Sequence, residues 1–187
     1  MGLVSGKHDR LLPRAVSRLT RSHRVTERRT DTYVSPLWLK TALRDAGARF
    51  DLDPCAALNQ PWHMADKSYT EKEDGLVQPW HGEVWLNPPY HRGKVPKWMQ
   101  RMSEHGRGMA LVFARTDVDW FKECVWKSRT AQGLLFLYGR LVFAKEDGTS
   151  HPHNAGAPSV LAAYGGISNS WLKRMKAHGH YIPLYHE

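Results

Sequence analysis

The chain has 187 residues, of which 41% are hydrophobic and 24% charged, with a net charge of +9 and a mean hydropathy of −0.56. This length and composition favour one soluble domain and exclude a second full domain. Because no window approaches the roughly 20 apolar residues of a bilayer span, and no apolar signal core is visible, we expect a cytoplasmic protein rather than a membrane or secreted one. Cys55 and Cys124 are too few for a disulfide framework and lack C-x-x-C spacing, so both are expected to be buried thiols.

The positive charge is concentrated near the start of the sequence. Residues 1–30 hold eight Lys and Arg against two acidic residues, a net +6, whereas the remaining residues carry only +3. Such an arginine-rich segment is typical of an arm that follows the phosphates of a polyanion, but also of disordered solubilising tails and of organelle transit peptides. We therefore predict a basic arm over residues 1–30 and a single domain over residues 31–187, and leave these three interpretations of the arm open.

The first predicted element of the domain is a helix, with Ser35 as its N-cap, Pro36 in its first turn and Gly47 at its end. Residues 49–53 then favour a short strand that a proline terminates. Prolines and glycines interrupt any periodicity over residues 59–80, where we expect one or two short strands at most.

The second half of the sequence alternates between strand and helix patterns. The predicted strands are residues 84–86, 109–114, 134–138, 141–144 and 160–164. The predicted helices are residues 95–106, a helix capped by Thr116 or Asp117, and a last helix that carries Trp171, Leu172 and Met175. This alternation predicts a layered α/β fold whose sheet is mostly parallel, and the closely spaced late strands predict an antiparallel pair at one edge.

Polar residues end two of the predicted strands, at the position where open α/β sheets bind ligands. Asp53 ends the first strand, and the segment Asn87-Pro88-Pro89-Tyr90 follows the strand at residues 84–86. This segment places a side-chain carbonyl oxygen beside a proline-constrained backbone carbonyl, which makes two fixed hydrogen-bond acceptors. Two such acceptors could bind both hydrogens of a planar amine such as that of adenine, and they would localise the lone pair of the amine nitrogen toward an electrophile. Tyr90 offers a ring for the base to stack on. By itself, the tetrapeptide also suits an ordinary turn.

Further segments occur around this motif in a fixed order. They are residues 32–36 (Thr-Tyr-Val-Ser-Pro), 50–57 (Phe-Asp-Leu-Asp-Pro-Cys-Ala-Ala), 74–76 (Asp-Gly-Leu), Trp80 and 84–90, followed by 110–117, 139–143 and 157–161. Together they resemble the phage-type DNA adenine-N6 methyltransferases, the Dam-like family of phages and prophages. The resemblance spans about residues 31–165 and is much more specific than the tetrapeptide alone.

The resemblance implies a Rossmann-like class I methyltransferase fold, a three-layer sandwich, with S-adenosylmethionine as the cofactor. The cofactor-binding residues that it implies are Tyr33, Ser35, Pro36, Asp53, Pro54, Cys55, Ala56, Asp74, Leu76 and Asn87. Many related enzymes have a Gly-rich turn after the first strand, and this chain departs from that pattern with Cys55, Ala56 and Ala57.

The implied reaction is direct transfer of the sulfonium methyl group to N6 of an adenine that is flipped out of duplex DNA. Asn87, Pro88 and Tyr90 would bind and activate this adenine. For the contact with DNA we single out Pro89, Tyr90, Arg115, Asp117, Arg140 and the loop at residues 151–154, because arginines read guanine or phosphate and polar loops enter grooves.

Two other functions stay open on the sequence alone. One is methyl transfer to another planar amine or amide, on an RNA base, cytosine N4 or a protein glutamine, and the other is nucleic-acid binding without catalysis. We expect no metal, because the pairs His151/His153 and His178/His180 lack further ligands at useful spacing.

The basic arm gives a testable prediction. Deletion of residues 1–30 should weaken DNA binding and reduce the dependence of the binding constant on salt, because fewer counterions are released when fewer phosphates are neutralised. Titration of DNA at several salt concentrations measures this slope. An unchanged slope would assign the arm to one of its other two interpretations.

Overall fold

Short buried strands alternate with helices through the part of the chain that the structure describes. The structure is a computed structural model that describes residues 33–90 and 93–185, so the basic arm lies outside the described residues. The strands are β1 (Leu52–Asp53), β2 (Lys67–Ser68), β3 (Val84–Leu86), β4 (Gly108–Phe113), β5 (Ala131–Leu137), β6 (Ser159–Tyr164) and β7 (Gly179–Pro183). The helices are α1 (Leu37–Asp45), α2 (Val95–His105), α3 (Asp119–Phe121) and α4 (Gly166–Arg174); α3 continues as a π-helical turn (Lys122–Trp126), and a 3₁₀ turn (Lys176–His178) precedes β7.

The described strands form one mixed sheet in the order β2-β1-β3-β4-β6-β5-β7. Neighbours from β2 to β4 are parallel, whereas β6 pairs antiparallel with β4 and β5, and β7 pairs antiparallel with β5. This confirms a mixed α/β fold, although the antiparallel part comprises β5, β6 and β7 rather than the predicted pair. Because β1, β3, β4 and β5 all run in the same direction, the loops that follow them meet at one edge of the sheet.

Alternating side chains divide the core between the two faces of this sheet. On one face, Leu39 and Leu43 of α1 and Leu172 of α4 share a buried cluster with Trp85, Met109 and Leu111. On the other face, Met99 and Met102 of α2 and Phe121 of α3 share a second cluster with Leu86, Ala110 and Val112. Helices therefore cover both faces, which explains why β3 and β4 read as continuous apolar runs.

Helix α1 confirms the first predicted helix and corrects its start. Its N-cap is Pro36, which makes no side-chain capping bond, rather than Ser35. Ser35 is instead buried, and its carbonyl oxygen accepts a 2.9 Å hydrogen bond from the indole N–H of Trp62. The end of the helix is as predicted, since Gly47 follows the C-cap with a φ of +89° that favours glycine.

Three other elements differ from the sequence prediction. Residues 141–144 form no strand, because Ala144 makes only isolated bridges to Val34 and Ser150 within the long loop between β5 and β6. Strand β7 was not predicted, since a half-exposed edge strand lacks a clear apolar pattern, whereas β2 fits the short strands expected within residues 59–80. The third helix starts at Asp119, and its N-cap, Val118, lies one or two residues after the predicted caps Asp117 and Thr116.

The cysteines agree with the prediction only in part. Cys124 is buried, whereas Cys55 is half-buried.

No described helix is long and apolar enough to cross a membrane.

Candidate active site

A cavity of about 1060 Å³ opens where β1 and β3 end. Its walls come from the segment before α1, the loop after β1, residues 70–76 before β3, the segment after β3 and the start of α2. This is the edge where ligands bind in open α/β sheets, and the volume suits a nucleoside-sized ligand.

The structure brings most of the predicted site residues together around this cavity. Those that line it are Tyr33, Ser35, Asp53, Pro54, Cys55, Ala56, Asp74, Leu76, Asn87, Pro88 and Pro89. The predicted residues that do not line it are Pro36, which caps α1, Tyr90, and the exposed residues Arg115, Asp117 and Arg140. Arg115 and Asp117 follow β4 and Arg140 follows β5, so they lie at the same edge of the sheet as the cavity.

The side-chain amide of Asn87 is held in one orientation. Its Nδ2 donates a 2.6 Å hydrogen bond to the carbonyl oxygen of Tyr33. Since a carbonyl can only accept, this contact requires the nitrogen on that side and leaves Oδ1 as the outward acceptor. Oδ1 lies 3.3 Å from the Tyr90 hydroxyl, but that hydroxyl has one proton and donates at 2.9 Å to the carbonyl oxygen of Leu111. Oδ1 therefore keeps acceptor capacity.

The backbone carbonyls of Asn87 and Pro88 differ in their hydrogen bonding. The Asn87 carbonyl oxygen accepts a 3.2 Å hydrogen bond from the Cys55 thiol. The carbonyl oxygen of Pro88 accepts none from the residues that the structure describes. Asn87 Oδ1 and the Pro88 carbonyl are thus adjacent acceptors on residues that line the cavity.

Tyr90 packs behind the motif in an aromatic cluster. Its ring stacks on Phe113, with centroids 4.1 Å apart and planes 23° apart, and it meets Tyr33 edge-on at 6.0 Å. Burial raises the pKa of the Tyr90 phenol far above its ordinary value, which keeps the hydroxyl protonated as a donor. One ring face is already covered by Phe113, so the predicted stacking of a base on Tyr90 is left to the opposite face.

Asp53 is a buried acid at the cavity wall. It is 4% exposed, and its Oδ1 accepts a 3.2 Å hydrogen bond from the Cys55 backbone N–H. Burial raises the pKa of this carboxyl to about 7, because desolvation of the charge outweighs that hydrogen bond. No cation among the described residues pairs with it. A cationic group bound in the cavity would therefore favour the ionised carboxylate.

Asp74 and Leu76 line the cavity from a loop with constrained geometry. Asp74 has a φ of +52°, and its Oδ1 accepts a 3.2 Å hydrogen bond from the Leu76 N–H. Between them, Gly75 is pressed against Pro54, since a Cβ on this glycine would lie 1.8 Å from the Pro54 carbonyl oxygen. This contact joins the loop to the end of β1.

Several lining residues were not among the site residues predicted from the sequence. They are Val34, Ala57, Leu58, Gln60, Met64, Thr70, Glu71, Gly75, Trp85, Gly93, Lys94, Lys97, Trp98 and Glu146. Most lie in segments without a motif, and only the fold brings them to the cavity. Two of them, Lys94 and Lys97, lie one helical turn apart at the start of α2, just after the Asn-Pro-Pro-Tyr motif, and that spacing was an available signal.

A metal site would need His, Cys, Asp or Glu side chains close together, because these are the usual ligands. Residues 33–90 and 93–185 contain no group of three or more His, Cys, Asp or Glu side chains placed to hold an ion. The absence of a metal stays a prediction.

The raised pKa of Asp53 predicts a pH-dependent stability. Between about pH 4 and about pH 7 the unfolded chain has already lost the Asp53 proton while the folded chain retains it, so the free energy of unfolding should fall as pH rises through this window. Asp53→Asn should remove this contribution and gain stability relative to wild type on going from about pH 5 to about pH 8. Urea denaturation at both pH values measures the difference, with the exposed Asp45→Asn as control. Parallel curves for wild type and Asp53→Asn would contradict the assigned pKa.

The close contact at Gly75 predicts a large effect from one methyl group. Gly75→Ala should lower the free energy of unfolding by about 1–3 kcal/mol, because the new Cβ meets rigid backbone of Pro54 rather than a flexible side chain. Gly156→Ala is the matched control, since no atom lies within 4 Å of its added Cβ. Equal denaturation midpoints for the two variants would show that the loop does not pack on β1 as described.

Comparison with known proteins bears on this site. A family model described as DNA N-6-adenine-methyltransferase (Dam) matches residues 21–170, which include the cavity and the Asn-Pro-Pro-Tyr motif. No curated protein and no solved structure matches the chain. Since the family match covers well over half of its length, the chain belongs to the DNA N-6-adenine-methyltransferase (Dam) family.

Proposed function

We propose that this protein uses S-adenosylmethionine to methylate N6 of an adenine that has been flipped out of DNA, on a Rossmann-like class I methyltransferase fold. Membership of the Dam family supports adenine-N6 methylation of DNA in general. The observation that carries the specific mechanism is the pair of adjacent acceptors, Asn87 Oδ1 and the Pro88 carbonyl, beside a cavity of about 1060 Å³.

The lining of the cavity fits the proposed cofactor. Four carboxylates contribute to its walls: Asp53, Glu71, Asp74 and Glu146. Carboxylates accept hydrogen bonds from ribose hydroxyls and attract the positive charges of a sulfonium and an ammonium group. Ala56 and Ala57 are small and stand where relatives have glycine, so the departure from the Gly-rich turn leaves the cavity open. When bound, S-adenosylmethionine would supply an electrophilic methyl group.

The motif would activate the adenine amine by hydrogen bonding rather than by a general base. Asn87 Oδ1 and the Pro88 carbonyl would each accept one hydrogen of the N6 amine, which withdraws the nitrogen lone pair from the ring and directs it toward the methyl carbon. The hydrogen bond that Asn87 Nδ2 donates to the carbonyl oxygen of Tyr33 holds the acceptor atom of Asn87 in place before the substrate arrives. Aligning nucleophile and methyl group accounts for up to about 7–11 kcal/mol of barrier reduction in favourable cases. The new N–C bond would form as the S–CH3 bond breaks, with S-adenosylhomocysteine as the leaving group, and one N6 proton would then pass to solvent.

The surroundings of the motif suit a base taken out of the DNA stack. Tyr33, Tyr90 and Phe113 form an aromatic cluster behind the motif, and stacking of the base on an exposed ring face would offset part of the few kcal/mol that flipping costs. Lys94 and Lys97 are exposed at the cavity rim and make no ion pair among the described residues. With Arg115 and Arg140 at the same edge of the sheet, they are cations positioned for DNA phosphates or bases.

Loss of the Asn87 acceptor tests this mechanism. Asn87→Ala should lower kcat for methyl transfer to unmethylated DNA by at least about 100-fold, because one of the two fixed acceptors is gone. Radiolabelled S-adenosylmethionine measures the rate. The control is Gln100→Ala, which removes an exposed amide on α2 that donates a hydrogen bond to Glu104 and does not line the cavity, and it should retain wild-type activity. Equal rates for wild type and Asn87→Ala would refute the role of Asn87.

The same assay identifies the substrate. Labelled cofactor is incubated with DNA, RNA and protein extract, and the products are digested and separated. We expect N6-methyladenine in DNA. Label in N4-methylcytosine, RNA or glutamine would show that the acceptor pair acts on a different planar amine or amide. Cofactor binding without label in any fraction would favour a binding protein.

A further inference from the structure

One wall of the cavity is a loop that has no helix or strand of its own. The wall loop, residues 73–80, runs between β2 and β3 and contributes Asp74, Gly75 and Leu76 to the cavity lining. Asp74, Val77 and Pro79 of this loop are exposed. Because the loop has few regular backbone hydrogen bonds, the shape of this wall depends on contacts made by neighbouring elements.

A single side chain from α2 makes two of these contacts. Arg101 is half-buried, and its guanidinium donates from Nη1 to the carbonyl oxygen of Leu76 and from Nη2 to the carbonyl oxygen of Gln78. The guanidinium also lies 5.1 Å from the ring centroid of Trp80. Arg101 thus contacts the loop at three residues and does not itself line the cavity.

Trp80 extends these contacts back into the loop and toward the cavity. Its indole N–H donates a 2.8 Å hydrogen bond to the carbonyl oxygen of Gly75. Its ring stacks on Trp98 of α2 at 6.2 Å between centroids, and Trp98 lines the cavity. Since Gly75 is pressed against Pro54 on its other side, the loop is held between the end of β1 and α2.

The geometry of these bonds requires arginine. A planar guanidinium presents separate N–H groups in a rigid fork, so that one side chain satisfies two carbonyls that are two residues apart. A lysine ammonium supplies the same charge from a single point on a flexible stem. We propose that Arg101 is a positioning residue that fixes the wall loop and thereby sets the affinity of the cavity for its cofactor. This inference rests on the proposed function, in that the cofactor occupies this cavity.

Binding of S-adenosylmethionine and S-adenosylhomocysteine to the full chain, by isothermal titration, tests the proposal. Arg101→Met keeps much of the aliphatic stem and removes both hydrogen bonds, and we expect the Kd of both ligands and the KM for S-adenosylmethionine to rise roughly tenfold. Arg101→Lys keeps the charge and loses the fork, so it should fall between wild type and Arg101→Met. At saturating cofactor, kcat and the KM for DNA should stay within about twofold of wild type. Arg129→Met, which removes an exposed arginine without a described hydrogen bond, should match wild type.

A second readout needs no ligand. In the cofactor-free protein, amide hydrogen exchange over residues 75–78 should be faster in Arg101→Met than in Arg129→Met, because the loop has lost its attachment to α2. Trp80→Phe, which keeps a ring beneath the guanidinium and removes the bond to Gly75, should raise both Kd values by a smaller factor. If Arg101→Met does not fold, Arg101→Lys and Trp80→Phe decide the outcome.

The possible outcomes distinguish a wrong cofactor from a wrong role for Arg101. If wild type binds neither ligand, the proposed cofactor is wrong and the role of Arg101 falls with it. If wild type binds both and the Arg101 and Trp80 variants bind equally well, only the role of Arg101 is overturned. A rise in the KM for DNA with unchanged cofactor affinity would also overturn it, since Arg101 would then act as a DNA contact.

Discussion

The hydrogen bond from Asn87 Nδ2 to the carbonyl oxygen of Tyr33 is the constraint on which the site depends. An asparagine amide without a fixed hydrogen bond can turn either its oxygen or its nitrogen toward the cavity, and only the oxygen can accept hydrogen bonds from an amine. The bond fixes that choice before any substrate binds. Tyr33 is in turn held in place because Val34 bridges Ala144 through hydrogen bonds of 3.1 and 2.9 Å. The long loop between β5 and β6 therefore contributes to the orientation of Asn87, although neither Val34 nor Ala144 lies near Asn87 in sequence.

A second constraint is the cost of keeping a buried acid in the wall of the cavity. Asp53 ends a strand that is buried on both sides, and without a described cation its carboxyl titrates near neutrality. Burial of an unpaired acid lowers the stability of the folded protein at neutral pH. A ligand that carries positive charge would relieve this cost. Asp53 therefore lowers the stability of the ligand-free protein but would attract a cationic ligand. This combination is expected at a binding site rather than in a structural core.

The sequence predicted the parts of the fold that rest on strong periodicity or on a proline or glycine. Strand β3 before Asn87, helix α1, whose C-cap precedes Gly47, and the buried strand β4 are such cases. Strand β7 was missed, and residues 141–144 were wrongly predicted as a strand, because strand pairing depends on tertiary register, which local pattern does not contain. For the site, residues next to a motif were found, whereas Arg101 and Trp98 on α2 were not, because their contacts with the wall loop arise only when α2 packs on the sheet.

The register of β3 explains how so short a strand can define the site. Trp85 faces the cluster of α1 and α4, and Leu86 faces the cluster of α2, so residue 87 is directed to the Trp85 side. Pairing with β1 on one side and β4 on the other fixes this register. A slip by one residue would exchange the faces and separate Asn87 from Tyr33. The buried apolar side chains of β3 therefore select which face receives the acceptor pair, and the prolines that follow end the strand where the cavity begins.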